Sequence, residues 1–127
     1  MIKNFLIIHF IGQDDKLGLR INKDFFIHNF ENVEKQKDLL VFEIMNLLNT
    51  HNAKLDENFS VIVNQGPGSF SGIRIALSVA KGLKISKKVA LYGYKNSDLK
   101  LFDLKNIELL LSKNLIEKKL IKPIYLS

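Results

Sequence analysis

The stretch Val61-Ile62-Val63-Asn64-Gln65-Gly66-Pro67-Gly68-Ser69-Phe70-Ser71-Gly72-Ile73-Arg74-Ile75-Ala76 decides the fold. Phe59 to Val63 is a short apolar run of strand type, and Ile73 to about Ile85 repeats apolar residues at helical spacing. Between them lies a glycine-rich turn. Gly66 and Gly68 permit backbone angles that other residues resist. Pro67 stiffens the turn and holds Gly66 away from helical angles. Ser69 or Ser71 is placed to cap the helix by accepting a backbone N–H. A strand, a tight glycine turn and a helix in that order mark an α/β chain.

Two readings of the turn follow. Gly66, Gly68, Ser69 and Ser71 either form a structural turn that seats a helix against a sheet, or cradle an anion on the unpaired amides of the helix start. The glycine spacing is one residue longer than the dinucleotide-binding pattern, and no Lys-Ser/Thr pair follows as a phosphate loop needs. The bulky Phe70 also sits in the turn. Inside the helix, Gly72, Ala76 and Ala80 recur every four residues. Such a ridge of small residues allows another helix to approach closely, within the chain or from a partner.

Outward from this unit the pattern extends in both directions. Phe5 to Ile11, Leu17 to Ile21 and Phe25 to Phe30 read as three strands, joined by turns at Gly12–Asp15 and Asn22–Asp24. From about Asn32 to Asn49, Val33, Leu40, Ile44, Leu47 and Leu48 share a helical face that Val41 and Met45 widen. Val89 to Tyr94 is a further strand. The order is βββ-α-β-α-β, which implies a mixed sheet covered by helices. Asn106 to Leu120 reads as one amphipathic helix, with Ile107, Leu110, Leu111 and Leu115 inward. Pro123 then begins an extended tail. The chain divides at residue 96, into a lobe over 1–96 and a short helix and tail over 97–127.

Composition removes several classes. The 127 residues contain no cysteine, so no disulfide framework or Cys metal site is available. No apolar run is long enough to span a bilayer. The N-terminus carries no small-residue cleavage site and reads as a strand, so a cytoplasmic protein is expected. The formal charge is +6, from 17 Lys and 2 Arg against 13 acidic residues. Nucleic-acid readers gather Arg for bidentate contacts, whereas Lys is scattered here, so a solvated basic surface is the simpler reading. His9, His28 and His51 are too separated for a metal site. Asp14 and Asp15 read as turn residues, and the serines of the turn have no neighbouring base.

The run Asn64–Leu83 resembles the signature of the TsaB (YeaZ) family, which reads G-P-G-S-F-T-G, a hydrophobic residue and Arg, then a helix with A-K-G. Ser69, Phe70, Arg74 and Lys81 match, and Ser71 stands where the family usually has Thr. Val89–Ser97 resembles the family's next strand and turn, and Pro123-Ile124-Tyr125-Leu126 its closing P-x-Y-L. The resemblance implies one ribonuclease-H-like lobe of the actin, Hsp70 and sugar-kinase superfamily, with residues 97–127 as a remnant of the second lobe. It further implies a non-catalytic scaffold that binds the catalytic paralogue TsaD in making N6-threonylcarbamoyladenosine at position 37 of tRNA, with the ATPase TsaE joining the complex. Tight association would use the two helices, through Ile44, Leu48, Phe70, Gly72, Arg74, Ala76, Ala80 and Lys81. Contact with tRNA would run through the partner, and a homodimer of the lone chain stays open.

Two departures from the family pattern bear on chemistry. His9 occupies the position where the first strand usually carries Asp, the carboxylate that would work near a metal or phosphate. The first helix holds only His51, at its far end, where the catalytic paralogue has an H-x-E-x-H metal motif. No cofactor and no metal are therefore expected. The competing expectation is a nucleotide- or phosphate-binding module built on the Gly66–Gly72 turn.

Overall fold

The structure is a computed structural model and describes residues 3–30, 39–113, 116–117 and 121–124. In chain order its elements are β1 (Phe5–His9), β2 (Lys16–Ile21), β3 (Asp24–Asn29), α1 (Leu40–Thr50), β4 (Ser60–Asn64), α2 (Phe70–Lys87), β5 (Ala90–Tyr94), a 3₁₀ turn at Asn96–Asp98, α3 (Leu104–Ser112) and β6 (Ile116–Glu117). They form one sheet in the order β3-β2-β1-β4-β5-β6. β1, β2 and β3 are an antiparallel meander, β4 and β5 continue in parallel from β1, and β6 closes antiparallel on β5. The expected βββ-α-β-α-β order is present, followed by a further helix and strand.

Period-two alternation sends apolar side chains to both faces. Leu6, Ile8, Leu17, Leu19, Val61, Val63 and Leu91 share one core with α1 and α2. Phe5, Ile7, Ile62 and Tyr94 share the other with Ile107 and Leu110 of α3. A sheet buried on both sides explains why β1 and β4 read as continuous apolar runs. Leu40, Ile44 and Leu48 anchor α1, and Ile73, Ala76, Leu77 and Ala80 anchor α2. Val41 and Met45 do not widen the inner face of α1: they are exposed, as is Phe42. The phase is set by Leu40, Ile44 and Leu48 at four-residue intervals, which carries their immediate successors round toward solvent.

The second half departs from expectation in one element. The helix ends at Ser112, and residues 116–117 pair with Gly93 and Tyr94. The free backbone edge of β5 gives these residues ladder partners that a longer helix would leave empty, so tertiary pairing overrides a continuous helical pattern. Residues 97–127 also supply the cover of the second sheet face through Ile107 and Leu110. The tail is tied to the glycine turn: Ile124 N donates to Gln65 O at 2.6 Å, and Gln65 Nε2 donates to Lys122 O at 3.0 Å. Val33, Leu115 and Tyr125 to Ser127 lie outside the described residues.

Candidate functional site

The glycine turn is filled by the chain itself. Gly66 has φ +107°, and a Cβ there would collide with the carbonyl of Ile124 and with Ile73. A Cβ on Gly68 would lie 2.6 Å from Ile11 Cβ. The Gly66–Pro67 peptide is cis. Ser69 N donates to Ile11 O at 2.7 Å, Gly72 N donates to Ser69 Oγ at 3.2 Å, and Ile73 N donates to Ser69 O. Ser69 is thus the helix N-cap, in extended conformation with its hydroxyl on the third helical residue. Gly66 N is taken by Asn64 Oδ1 at 2.8 Å, and Gly66 O accepts from Asn96 N at 2.7 Å. With these donors and spaces used internally, the contacts support the structural reading of Gly66, Gly68 and Ser69. Ser71, at the second helical position, is half-buried.

The facing turn after β1 is equally tight. Asp15 is buried, and its Oδ1 accepts from Ile11 N and Gly12 N, both at 2.9 Å. Burial pushes its carboxyl pKa up, although the backbone amides pull against that shift. The carboxylate therefore shapes the turn that Ser69 packs on.

The residues expected at a partner surface fall into two sets. Ile44, Leu48, Gly72, Ala76 and Ala80 are buried inside the lobe. The small-residue ridge is internal, and it brings α2 close to the sheet. Phe70, Arg74 and Lys81 are exposed on α2, with the Arg74 guanidinium 5.0 Å from the centre of the Phe70 ring. What periodicity missed is the outward apolar strip of α1, where Val41, Phe42 and Met45 are 54%, 63% and 38% exposed. Reading the helix phase from Leu40, Ile44 and Leu48 alone would have found it.

A polar cluster sits at the carboxyl ends of the parallel strands. His9, Asn64 and Tyr94 are the last residues of β1, β4 and β5, so the parallel register brings them together. Asn64 Oδ1 accepts from Gly66 N, which fixes its amide so that Nδ2 points to His9 Nδ1 at 3.0 Å and Asn96 Oδ1 at 3.1 Å. Tyr94 Oη lies 3.4 Å from the same His9 nitrogen, and burial pushes the phenol pKa up. His9 Nδ1 must then be an acceptor, which puts the ring proton on Nε2. Burial, with help from Lys16 and against Asp14, holds the imidazole pKa down to about 4. The histidine is a neutral, oriented group at the strand position where the family pattern has a carboxylate. Among the described residues no group of three His, Cys, Asp or Glu gathers as metal ligands, and no helix is long and apolar enough to cross a membrane.

Comparison with known proteins gives the context of this geometry. The family model described as TsaD: tRNA N6-adenosine threonylcarbamoyltransferase matches residues 35–99, just over half of the chain. The matched stretch runs from before α1 to just past the 3₁₀ turn, and so includes the glycine turn. Among solved structures, YeaZ from Pseudomonas aeruginosa is similar with a TM-score of 0.64 and 21% identity, over 76% of this chain and 45% of that one. A second crystal structure, described as an uncharacterized protein with similarity to peptidase YEAZ from Pseudomonas aeruginosa, gives a TM-score of 0.66 and 19% identity, over 73% of this chain and 43% of that one. The chain thus spans less than half the length of either structure. A comparison with curated protein sequences returns no match. The mixed sheet, with α1 and α2 on one face and α3 on the other, is the ribonuclease-H-like lobe that the glycine signature implied, and the chain belongs to the TsaD family with a YeaZ-like fold.

Proposed function

We propose that the chain is a non-catalytic scaffold that docks on TsaD during N6-threonylcarbamoyladenosine modification of tRNA. The observation that carries this reading is the strip Val41, Phe42 and Met45, exposed on a helix that shares its sheet face with α2. Three large apolar side chains along one outward helix face are what a partner helix would bury. Phe70, Arg74 and Lys81 extend the surface along α2. Ile44, Leu48, Gly72, Ala76 and Ala80 serve it from within, by holding the two helices on the sheet. The neutral His9 in place of a strand carboxylate, and a glycine turn whose amides are largely used inside the chain, favour a binding role over nucleotide chemistry. TsaE would meet the chain only through the larger complex, tRNA only through the partner, and a pair of lone chains would compete for the same strip.

Co-purification and calorimetry with TsaD of the same organism test the reading. Association at micromolar concentration is expected, and a Phe42→Asp chain should lose it while keeping its circular dichroism spectrum. No association at that concentration would overturn the proposal.

A further inference from the structure

The carboxyl ends of β1 and β5 border a half-open cavity of about 370 Å³ that the docking reading does not use. Its walls are the turn after β1, the start of β2 at Lys16, and the segment from Asn96 to Phe102 that follows β5. In open α/β sheets, ligands bind in the crevice outside the carboxyl ends of strands, where neighbouring connections part. Here β1 turns back antiparallel onto β2 on one side, while β4 and β5 run parallel to it on the other, so the crevice lies at the carboxyl ends where the connection after β1 parts from the one after β5.

The lining has a specific chemistry. Phe102 and His9 face the cavity with ring centres 5.7 Å apart and planes tilted by 55°, which makes an aromatic wall. Leu99 and Leu101 add apolar surface, and Leu101 is 65% exposed despite its size. Two ammonium groups, on Lys16 and Lys100, are opposed by one carboxylate, on Asp14. His9 is uncharged at neutral pH, and its Nδ1 is occupied by Asn64, so Nε2–H is the donor left for a ligand. The formal charge of the lining is therefore a single positive unit beside the tilted rings of Phe102 and His9.

We propose that this cavity binds a small aromatic monoanion, with the ring against Phe102 and the carboxylate held between Lys16 and Lys100. The size and charge argue against a nucleoside triphosphate. The volume lies at the small end of ligand pockets, which run from about 300 to 1,000 Å³. One net positive charge balances one carboxylate and leaves a polyphosphate mostly unneutralised. A ring that stacks gains area burial and quadrupole contact with Phe102, and the carboxylate gains two charge-assisted contacts. The site lies at the strand ends, apart from the outward faces of α1 and α2, so it stands or falls independently of TsaD docking.

The test is a titration of the isotopically labelled chain with 2-naphthoate, following the His9 ring resonances. Inorganic phosphate, AMP, ATP with magnesium, and the uncharged 2-naphthalenemethanol form the other arms. Saturable shifts are expected with naphthoate, together with a rise of the His9 pKa from its low value as an anion settles beside the ring. The neutral alcohol should bind about tenfold more weakly, as should naphthoate to Lys100→Ala, the effect of losing one charge-assisted contact. Phe102→Leu should weaken naphthoate and leave phosphate unchanged, and circular dichroism verifies that both variants fold. Absence of saturation up to about 5 mM, roughly five times the concentration that half-fills a 1 mM site, would overturn the proposal. So would tighter binding of AMP, ATP or phosphate than of naphthoate, or unchanged naphthoate affinity in both variants.

Discussion

The two faces of the sheet are held by unequal cores. Among the described residues, twenty buried side chains from the strands and the residues flanking them, α1, α2 and Ile121 form the first core, and six form the second, from the other sheet face and α3. The first is mainly aliphatic and continuous. The second is built around Phe5, Tyr94 and the half-buried rings of Phe25, Tyr92 and Phe102, with one nine-residue helix as its roof. The thick face makes a rigid platform for the outward strip of α1. The thin face leaves the strand ends open, and the polar cluster and the cavity are found there. Stability and openness are thus divided between the two sides of one sheet, and local opening is expected first on the thin side.

A charge on the thick face breaks that division most severely. Ala76 is fully buried on the small-residue ridge of α2. Ala76→Arg forces a long cation into close-packed surroundings with no partner and should cost more than about 4 kcal/mol, enough to abolish cooperative unfolding. Ser78→Arg, on the exposed side of the same helix, should change stability by no more than about 0.5 kcal/mol. Thermal melts of the pair read the contrast directly. If Ala76→Arg melts like the parent, the ridge is not internal.

Truncation on the thin face should be smaller and local. Ile107, on the inner face of α3, is fully buried. Ile107→Ala should cost about 3 kcal/mol, within the range for removing a buried branched side chain. Hydrogen exchange should show α3 losing protection while α1 and α2 keep theirs. Equal loss across both faces would show that the sheet unfolds as one unit and that the two cores are not separable.

The polar cluster gives a pH signature on the same thin side. The folded pKa of His9 is depressed to about 4 from an ordinary 6.5. Below 6.5 the unfolded chain takes up a proton that the folded chain refuses, so stability falls as pH drops from 6.5 to 4, by roughly 2–3 kcal/mol. Asp15 works in the opposite sense. Its carboxyl pKa is raised in the fold, so its contribution is present at low pH and fades as pH rises through the raised value. The difference between the parent and His9→Gln in urea melts isolates the histidine. The variant should lose the slope between pH 4 and 6.5, and a retained slope would place the titration elsewhere.

The same contrast governs what the sequence discloses. The thick face is legible because its elements are local. Leu40, Ile44 and Leu48 repeat at helical spacing, and Val61 to Val63 is a bare apolar run before a glycine turn. The strand boundaries fall within two residues of expectation for that reason, while α2 begins three residues earlier, at the turn's own Phe70. The end of α3 is illegible, because the pairing of residues 116–117 depends on the vacant edge of β5, at Gly93 and Tyr94 far back in the chain. The polar cluster is half legible. His9, Asn64 and Tyr94 each end a strand, but only the parallel register shows that the three ends meet. Of the anticipated partner residues, Phe70, Arg74 and Lys81 lie outward, while Gly72, Ala76 and Ala80 lie inward. Small-residue spacing reports close packing without reporting on which side the neighbour stands.

The smallest effect is expected at the joint between the two regions. Ser69 caps α2 on the thick side, and its backbone amide is bonded to Ile11 in the turn that follows β1. Ser69→Ala removes the hydroxyl acceptor of Gly72 N and keeps the backbone bond to Ile11 O. The expected loss is about 1 kcal/mol, the usual cost of an N-cap hydroxyl. A Cβ at Gly12 would lie 2.6 Å from Ser69 Oγ and 2.7 Å from its Cβ, so the serine fits against the β1–β2 turn because residue 12 is glycine. Ser69→Thr keeps the acceptor but adds a methyl group, and it should therefore destabilise more than Ser69→Ala despite preserving the cap. Urea melts of the two variants decide between capping and packing. If threonine is the milder change, the hydroxyl outweighs the crowding and the joint is looser than the close approach of Gly12 and Ser69 indicates.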